Sequence, residues 1–538
     1  MYQLQRHPQK KPDQRHPQKK PEKHTKYNTK LCDDKMTFEE CELAILRHAV
    51  DETDKIQKQK AASSPEIKAM FEILEKFIIQ KKLILYGGLA LNRLIPKQDQ
   101  FYNSDIDLPD YDVFSENALD DAKELANLYH AEGYSEVEAR SAVHYGTYKV
   151  FVNFIAIADI TQMNAVIYRN LQKDSIAIAG LRYAPPNFLR MSMYLELSRP
   201  AGDTSRWEKV FKRLTLLNKY YPVQAPGSCQ SVDFQRNVDT LSANDSESLY
   251  FIVRDSLIEQ EVVFFGGYAS SLYTNSMPPN QRRLIEKIPD FDVLSTDPKK
   301  CALILLETLK DAGFKKCKMI EHSEIGEIVP KHIEIVVGKE TLAFIYEPNA
   351  CHNYNTIHIA GKSIRVATID TMLSFYLAFI YTNQPYFPKD RILCMANFLF
   401  EVEQKNRLNQ KGVLQRFTAN CYGKQLTMED IRANKTEMFR KLLGKRGTRE
   451  YDVWFLKYNP GVRIRQKNKR KESAQNEQGK TPLPQAPDTK MPITQNPESN
   501  TQAESKISSQ SPKQKNKKKT NKKRTRRRSN GFLSSLFF

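Results

Sequence analysis

The chain has 538 residues, 40% of them hydrophobic, and 83 Lys and Arg against 63 Asp and Glu leave a net charge of +20. That length allows about three domains, and a mean hydropathy of -0.60 puts part of it outside any core. The positive excess calls for a polyanionic partner, nucleic acid before an anionic membrane surface. No apolar run reaches about 18 residues and the N-terminus has no apolar signal core, so a membrane-spanning or exported protein is not expected. Eight cysteines lie scattered without C-x-x-C or Cys/His ligand spacing. Neither a zinc site nor a disulfide framework is expected of them, and a reducing compartment is the natural reading.

Residues 1–36 are rich in Lys, Pro, Gln and His and repeat RHPQKKP at 6 and 15. They have too little apolar surface to offset their ordering entropy and read as a disordered basic tail. From residue 37 the pattern turns helical. FEECELAILRHAVDETDKI has apolar residues at helix spacing, and SSPEIKAMFEILEKFIIQKK opens with Ser64 as N-cap and Pro65 at the first helical position. A strand, LILY, follows at 83–86. Then come Gly87 and Gly88, the acidic stretch SDIDLPDYDVFS at 104–115, and a helix ending in HAEGY. The segment 147–163 alternates as one strand, and 203–222 reads as a helix.

The same series then recurs. LILYGGLALNRLI at 83 is matched by VVFFGGYASSLYT at 262, and PDYDVFS at 109 by PDFDVLS at 289. Gly87 to Gly266 is 179 residues, while Asp110 to Asp290 and Gly133 to Gly313 are each 180. An offset that steady predicts duplication of one fold unit. The domains expected are 37–225 and 226–465. Residues 466–538, with KQKNKKKTNKKRTRRR at 513–528, form a second disordered basic tail. The terminal FLSSLFF is too short to span a membrane.

Asp110 and Asp112 are two apart in a strand, so they project to one face while Tyr111 and Val113 turn to the core. Adjacent carboxylates repel unless a cation lies between them. A hard divalent cation, Mg²⁺ by default, suits them. Gly87 and Gly88 let backbone approach a ligand and open a helix whose N–H groups face the same point, which makes a phosphate cradle. Two-metal phosphoryl transfer needs a further carboxylate from a neighbouring strand. Asp159 is the sole acidic residue of 147–163, and Asn153 shares its face by parity. In the second unit the corresponding segment offers Glu347 and no Asp. That unit has no acidic pair ahead of PDFDVLS, so Asp105 and Asp107 read as loop residues. On 203–222, Arg206, Lys209 and Arg213 fall on one helix face and can meet triphosphate or RNA backbone together; Lys212 is a further cation there. His144, Trp207, Tyr220 and Tyr221 read as structural before they read as nucleotide contacts. Asp290 and Asp292 read as a relic of a site.

Taken together, ILYGGLALN, PDYDVFS and FIAIADITQMN resemble the DNA polymerase β-like nucleotidyltransferase superfamily and, more narrowly, the catalytic poly(A) polymerases of nucleocytoplasmic large DNA viruses. The likeness covers residues 65–220 and, by its duplicated form, the second unit. It implies an α+β fold of tandem duplicated polymerase β-like nucleotidyltransferase domains with disordered basic N- and C-terminal tails. It further implies ATP-dependent, template-independent extension of an RNA 3′ end with Mg²⁺ or Mn²⁺, a first domain that is active and a second that is structural. By this resemblance Asp110, Asp112 and Asp159 are the catalytic, metal-binding carboxylates and Gly87 and Gly88 the phosphate turn. The third carboxylate position stays open between Asn153 and Asp159. A homodimer is one arrangement found in such families. Host cytoplasm, with packaging in the virion as a variant, is the place implied. Terminal transfer of another nucleotide and an inactive RNA-binding scaffold remain as alternatives.

Overall fold

The computed structural model describes residues 27, 29–103, 107–230, 243–273 and 290–462. These divide into two compact units. Residues up to Ala69 together with Phe101–Pro109 form one, and Met70–Gln100 with the residues from Asp110 onward form the other.

In the smaller unit the helix Phe38–Ser63 starts on a capping box, in which Thr37 accepts from Glu40 N–H while the Glu40 carboxylate accepts from Thr37 N–H at 2.8 Å. Ahead of it the Tyr27 hydroxyl donates to Met36 O at 2.6 Å, and Cys32 is bonded to Cys41. The described end of the 1–36 segment is therefore tied to this helix. The rest of that segment and all of 466–538 lie outside the described residues.

Both sheets belong to the larger unit. The first is built from β1 (Ile84–Leu85), β2 (Tyr111–Ser115), β3 (Val137–Ser141), β4 (Thr147–Val152), β5 (Ile155–Gln162), β6 (Ile176–Ile178) and β7 (Leu181–Tyr183), in the order β3-β4-β5-β2-β1-β7-β6. The second uses β8 (Val263–Phe265), β9 (Phe291–Leu294), β10 (Cys317–His322), β11 (His332–Val337), β12 (Glu340–Tyr346), β13 (His352–Ile359) and β14 (Lys362–Ala367), in the order β10-β11-β12-β9-β8-β14-β13. Strand for strand the directions agree. β2 runs parallel to β5 as β9 does to β12, and β1 runs antiparallel to β2 as β8 does to β9. β15 (Cys421–Tyr422) extends the second sheet beside β13, and β16 (Lys457–Tyr458) extends the first beside β3.

Matched glycines hold matched conformations. Gly87 and Gly266 have φ of 71° and 72°, and Gly133 and Gly313 both have 95°. Gly133 and Gly313 lie just beyond the helices Ala118–Ala131 and Pro298–Asp311, where a left-handed residue stops the helix without a Cβ penalty. The segment 147–163 is not one strand. Asn153 and Phe154 both have positive φ, at 48° and 67°, and turn it into the β4–β5 hairpin. Asn tolerates that conformation through its short polar side chain.

The halves meet on helices. Ile369–Phe379 is buried along its whole length, and Arg416 binds its Asp370 at 2.8 Å and Glu403 of the helix Lys389–Lys405 at 2.5 Å. Glu403 also accepts from Tyr194 on the helix Pro186–Leu197 at 2.5 Å. Each buried charge here has a partner, as burial demands.

The reading of the cysteines needs correcting. Six of the eight are paired, as Cys32–Cys41, Cys229–Cys394 and Cys351–Cys421, while Cys301 and Cys317 are free. The latter two pairs join residues 165 and 70 apart in sequence, so the fold, not the spacing, brings them together. The inference of a reducing compartment from their scatter loses its basis.

Candidate active site

β2 places its side chains as alternation requires. Tyr111 and Val113 are buried, and Asp112 stands on the other face, half-buried, with Asp110 exposed just ahead of the strand. The neighbouring parallel strand brings Asp159 into direct register with Asp112. Asn153 lies in the hairpin turn, between β4 and β5 and outside both strands. Antiparallel β4 sets Lys149 opposite Asp159, and the Lys149 ammonium donates to the Asp159 carboxylate.

Burial pushes the Asp112 carboxyl well above the usual carboxylate range, and the neighbouring Asp159 and Asp110 push it further, against Lys149 and Arg206. Asp159 is raised by burial, opposed by Lys149, and raised again by Asp110. The three carboxylates therefore act on one another as one cluster. Gly87 seats it. A Cβ at Gly87 would stand 2.8 Å from the Asp112 Oδ2, and Gly87 and Gly88 begin the helix Gly87–Leu94. Beneath, Tyr86 N–H donates to Asp112 O at 3.0 Å, and the buried Tyr86 hydroxyl pairs with Thr161 at 3.0 Å.

The basic residues converge here as well. Lys209 loses proton affinity to Arg213 first, then to burial and Arg206, while Asp110 and Glu196 work the other way. Arg206, Lys209 and Arg213 thus crowd one another beside the carboxylates, an arrangement that favours an anion between them. Glu196 lies 3.5 Å from the Arg206 Nε and holds that end of the cluster. Lys212 turns away and pairs with Glu208 at 2.5 Å on the exposed face of the helix Trp207–Tyr220.

Among the described residues no group of three or more His, Cys, Asp or Glu is arranged to hold a metal ion. Lys149 holds the cationic place beside Asp159. In donor type the residues fit a hard divalent cation, since three mutually repelling carboxylates are relieved by positive charge.

Other singled-out residues are structural. The Trp207 indole donates to Glu196 O at 3.1 Å, the Tyr220 hydroxyl to Asp99, and the Tyr221 hydroxyl to Leu94 O at 3.1 Å. His144, pushed down to about 4 by burial and by Lys435, is held neutral. Asp107 sits in a loop and accepts from Asn103 N–H at 3.0 Å, and Asp105 lies outside the described residues. Lys149 and Glu196 had not been singled out. Lys149 is opposite Asp159 only through hairpin register, which needed the turn at Asn153 and Phe154.

In the second sheet the residue in register with Asp292 is Phe344. Glu347 falls beyond the end of β12, so it is not the counterpart of Asp159. Asp290 and Asp292 are both buried, and Asp290 pairs with Arg391 at 3.1 Å. A Cβ at Gly266 would collide with Asp292, and one at Gly267 with Asp290. Lys149 is replaced there by Glu334, which pairs with His322 at 2.8 Å.

Residues 72–203 match the family model described as poly(A) polymerase catalytic subunit. Over 174 residues the chain is 32% identical to a protein of African swine fever virus (isolate Pig/Kenya/KEN-50/1950) named as a poly(A) polymerase catalytic subunit, covering 31% of this chain and 36% of that one. A protein of Acanthamoeba polyphaga mimivirus with the same name is 29% identical over 178 residues, covering 32% and 29%. The matched part thus spans about a third of the length of these relatives. The crystal structure of the Megavirus polyadenylate synthase shares the fold with a TM-score of 0.66 at 21% identity, over 83% of this chain and 92% of that one. The resemblance drawn from the residues is borne out, and these relatives are named as poly(A) polymerase catalytic subunits and a polyadenylate synthase. No described helix is long and apolar enough to cross a membrane.

Proposed function

We propose that this chain, whose residues 72–203 carry the poly(A) polymerase catalytic family match, is a template-independent polynucleotide adenylyltransferase that adds AMP from ATP to RNA 3′ ends. The observation that carries this reading is the register of Asp112 with Asp159 beside Gly87, with Lys209 crowded by Arg206 and Arg213 at the same place.

In this mechanism Asp110 and Asp112 hold the cation side of the site, with Asp159 as the third carboxylate. Gly87 and Gly88 admit the triphosphate to the N–H groups opening the helix Gly87–Leu94. Arg206, Lys209 and Arg213 take up triphosphate charge and hold the pyrophosphate as it leaves. Magnesium or manganese, when bound, lowers the pKa of the primer hydroxyl and neutralises charge on the leaving oxygens. The 3′-oxygen forms its bond to the α-phosphorus as the bond to the bridging oxygen breaks, and the residues contribute positioning and charge.

The catalytic domain in this proposal is 37–225, and 226–465 is a second, inactive nucleotidyltransferase-like domain derived by duplication. Phe344 in place of a third carboxylate supports that reading. In this proposal the chain acts in the host cytoplasm on viral mRNA, which fractionation of infected cells tests. A homodimer finds no support in the fold or the relatives and is not part of the proposal.

The test supplies a short labelled RNA and each of the four nucleoside triphosphates in turn, with Mg²⁺ or Mn²⁺. Stepwise growth with ATP above the other three is the expected result. Preferential growth with UTP would replace adenylation by another terminal transfer, and RNA retention without growth under any condition would leave a scaffold.

A further inference from the structure

The helix Trp207–Tyr220, which carries Lys209 and Arg213 with Arg206 just ahead of it, is held from both halves. From the first half, Glu196 takes its start: the Trp207 indole donates to Glu196 O at 3.1 Å, and the Arg206 Nε lies 3.5 Å from the Glu196 carboxylate. From the second half comes Phe417. Its ring centroid stands 6.1 Å from that of Trp207 and 5.8 Å from that of Phe211, edge to face with the latter. Trp207 and Phe211 are four residues apart and share a helix face, so a single ring meets both across the first turn.

Phe417 is held there against its own backbone preference. It has φ of 53°, a left-handed conformation that a bulky residue rarely takes. Arg416 and Thr418 on either side are buried, while Phe417 is 41% exposed. The chain is thus bent so that one aromatic ring is turned out between two buried residues. Strain of this kind persists only where the surroundings over-determine it. Arg416 supplies that constraint. Its guanidinium binds Asp370 through two nitrogens, at 2.8 and 2.5 Å, and Glu403 at 2.5 Å, and its backbone N–H donates to Gln410 at 3.1 Å. The same guanidinium lies 4.8 Å from the centre of the Phe417 ring and 5.9 Å from that of Phe211, within reach of a cation–π attraction. Phe211 and Phe417 both stay more than a third exposed, so their meeting adds little to the core. What it fixes is the rotation of the helix.

We infer that the Arg416–Phe417 corner of the second half is a positioning element for the first, setting the rotation of the helix Trp207–Tyr220 and with it the place of Arg206, Lys209 and Arg213. The inference rests on the proposed reading of those three residues as the triphosphate-binding face. Phe417 acts through Phe211 and Trp207, not on the substrate. The second half thereby has a part in the reaction without a site of its own.

Calorimetric titration of the full chain with inorganic tripolyphosphate in magnesium chloride reads this without nucleotide transfer. Phe417→Gly removes the ring and relaxes the backbone; the misplaced cations are expected to weaken binding by about fivefold or more. Phe417→Tyr keeps the ring and is expected to bind as the unaltered chain does. Phe211→Leu approaches the same contact from the helix. Its loss is expected to match that of Phe417→Gly, and the two changes together to lose no more than either alone, as coupled residues do. A merely structural contact would lower the unfolding midpoint and leave the dissociation constant of the folded chain where it was. Binding unaffected by Phe417→Gly and by Phe211→Leu, additive losses in the double variant, or a Phe417→Tyr chain that binds no better than Phe417→Gly would each overturn the inference. If the expected pattern holds while no nucleoside triphosphate supports RNA growth, the positioning stands and the transferase reading falls. Absence of saturable binding in the unaltered chain would overturn both.

Discussion

Asp112 and Asp292 stand at matching places in two sheets of the same strand order, yet their surroundings differ in kind. Asp112 has Asp159 beside it, Lys149 one strand further, and Arg206, Lys209 and Arg213 close by. Asp292 has Phe344 beside it and Glu334 one strand further, while Arg391 pairs with Asp290. Both seat a carboxylate against a glycine that has no room for a Cβ. A Gly-Gly turn over Asp-aromatic-Asp is therefore a packing unit first. On the proposed function it becomes a site for chemistry only where the adjoining strand adds charge.

The largest expected effect comes from breaking the second half's pair. Asp290→Ala leaves the Arg391 guanidinium without that buried partner and is expected to cost about 3–5 kcal/mol of stability, measured by denaturant unfolding, with turnover per folded molecule unchanged. Equal loss of turnover would erase the distinction between the halves. On the other side, Asp159→Asn is expected to lower kcat by about 10²–10³ while leaving the unfolding midpoint unchanged or higher, because it removes a raised, half-buried carboxylate. Gly87→Ala tests the shared element. With φ of 71° and Asp112 Oδ2 at 2.8 Å from the new Cβ, it is expected to cost about 1–3 kcal/mol and to reduce turnover as Asp112 shifts.

The smallest effect lies in the loop that the second half sends to the first. Glu327 is raised by burial from 4.5 to about 7. Between those values the folded chain keeps a proton that the unfolded chain releases, so stability rises as pH falls. The penalty of the charged form is full above pH 7 and gone below 4.5. Glu327→Gln is expected to be more stable than the unaltered chain by roughly 1–2 kcal/mol at pH 8, with the gap narrowing below pH 7 and closing below 4.5, in thermal unfolding.

Much of this contrast was legible in the residues. The constant offset between GG and DxD elements found the two halves, and their matched glycine conformations follow from that pattern. Asp159 was the sole acid in its segment, but its register with Asp112, and the place of Asn153 in a turn, required the hairpin. Parity counts through a strand, and two left-handed residues reset the count. Glu347 was named for the second half because Glu is visible in sequence, whereas register across β9 and β12 picks Phe344. Lys149, Arg391 and the disulfides escaped for one reason: each owes its partner to a tertiary approach that no local spacing encodes. The tryptophan and paired tyrosines read correctly as structural, since their polar tips bind nearby backbone or Asp99.

The most direct measurement compares RNA primer extension by Asp112→Asn and by Asp292→Asn, two shape-conserving changes at matching strand positions, with ATP and Mg²⁺. The account predicts that extension is abolished in Asp112→Asn and kept in Asp292→Asn. Extension that survives in Asp112→Asn and fails in Asp292→Asn would contradict it.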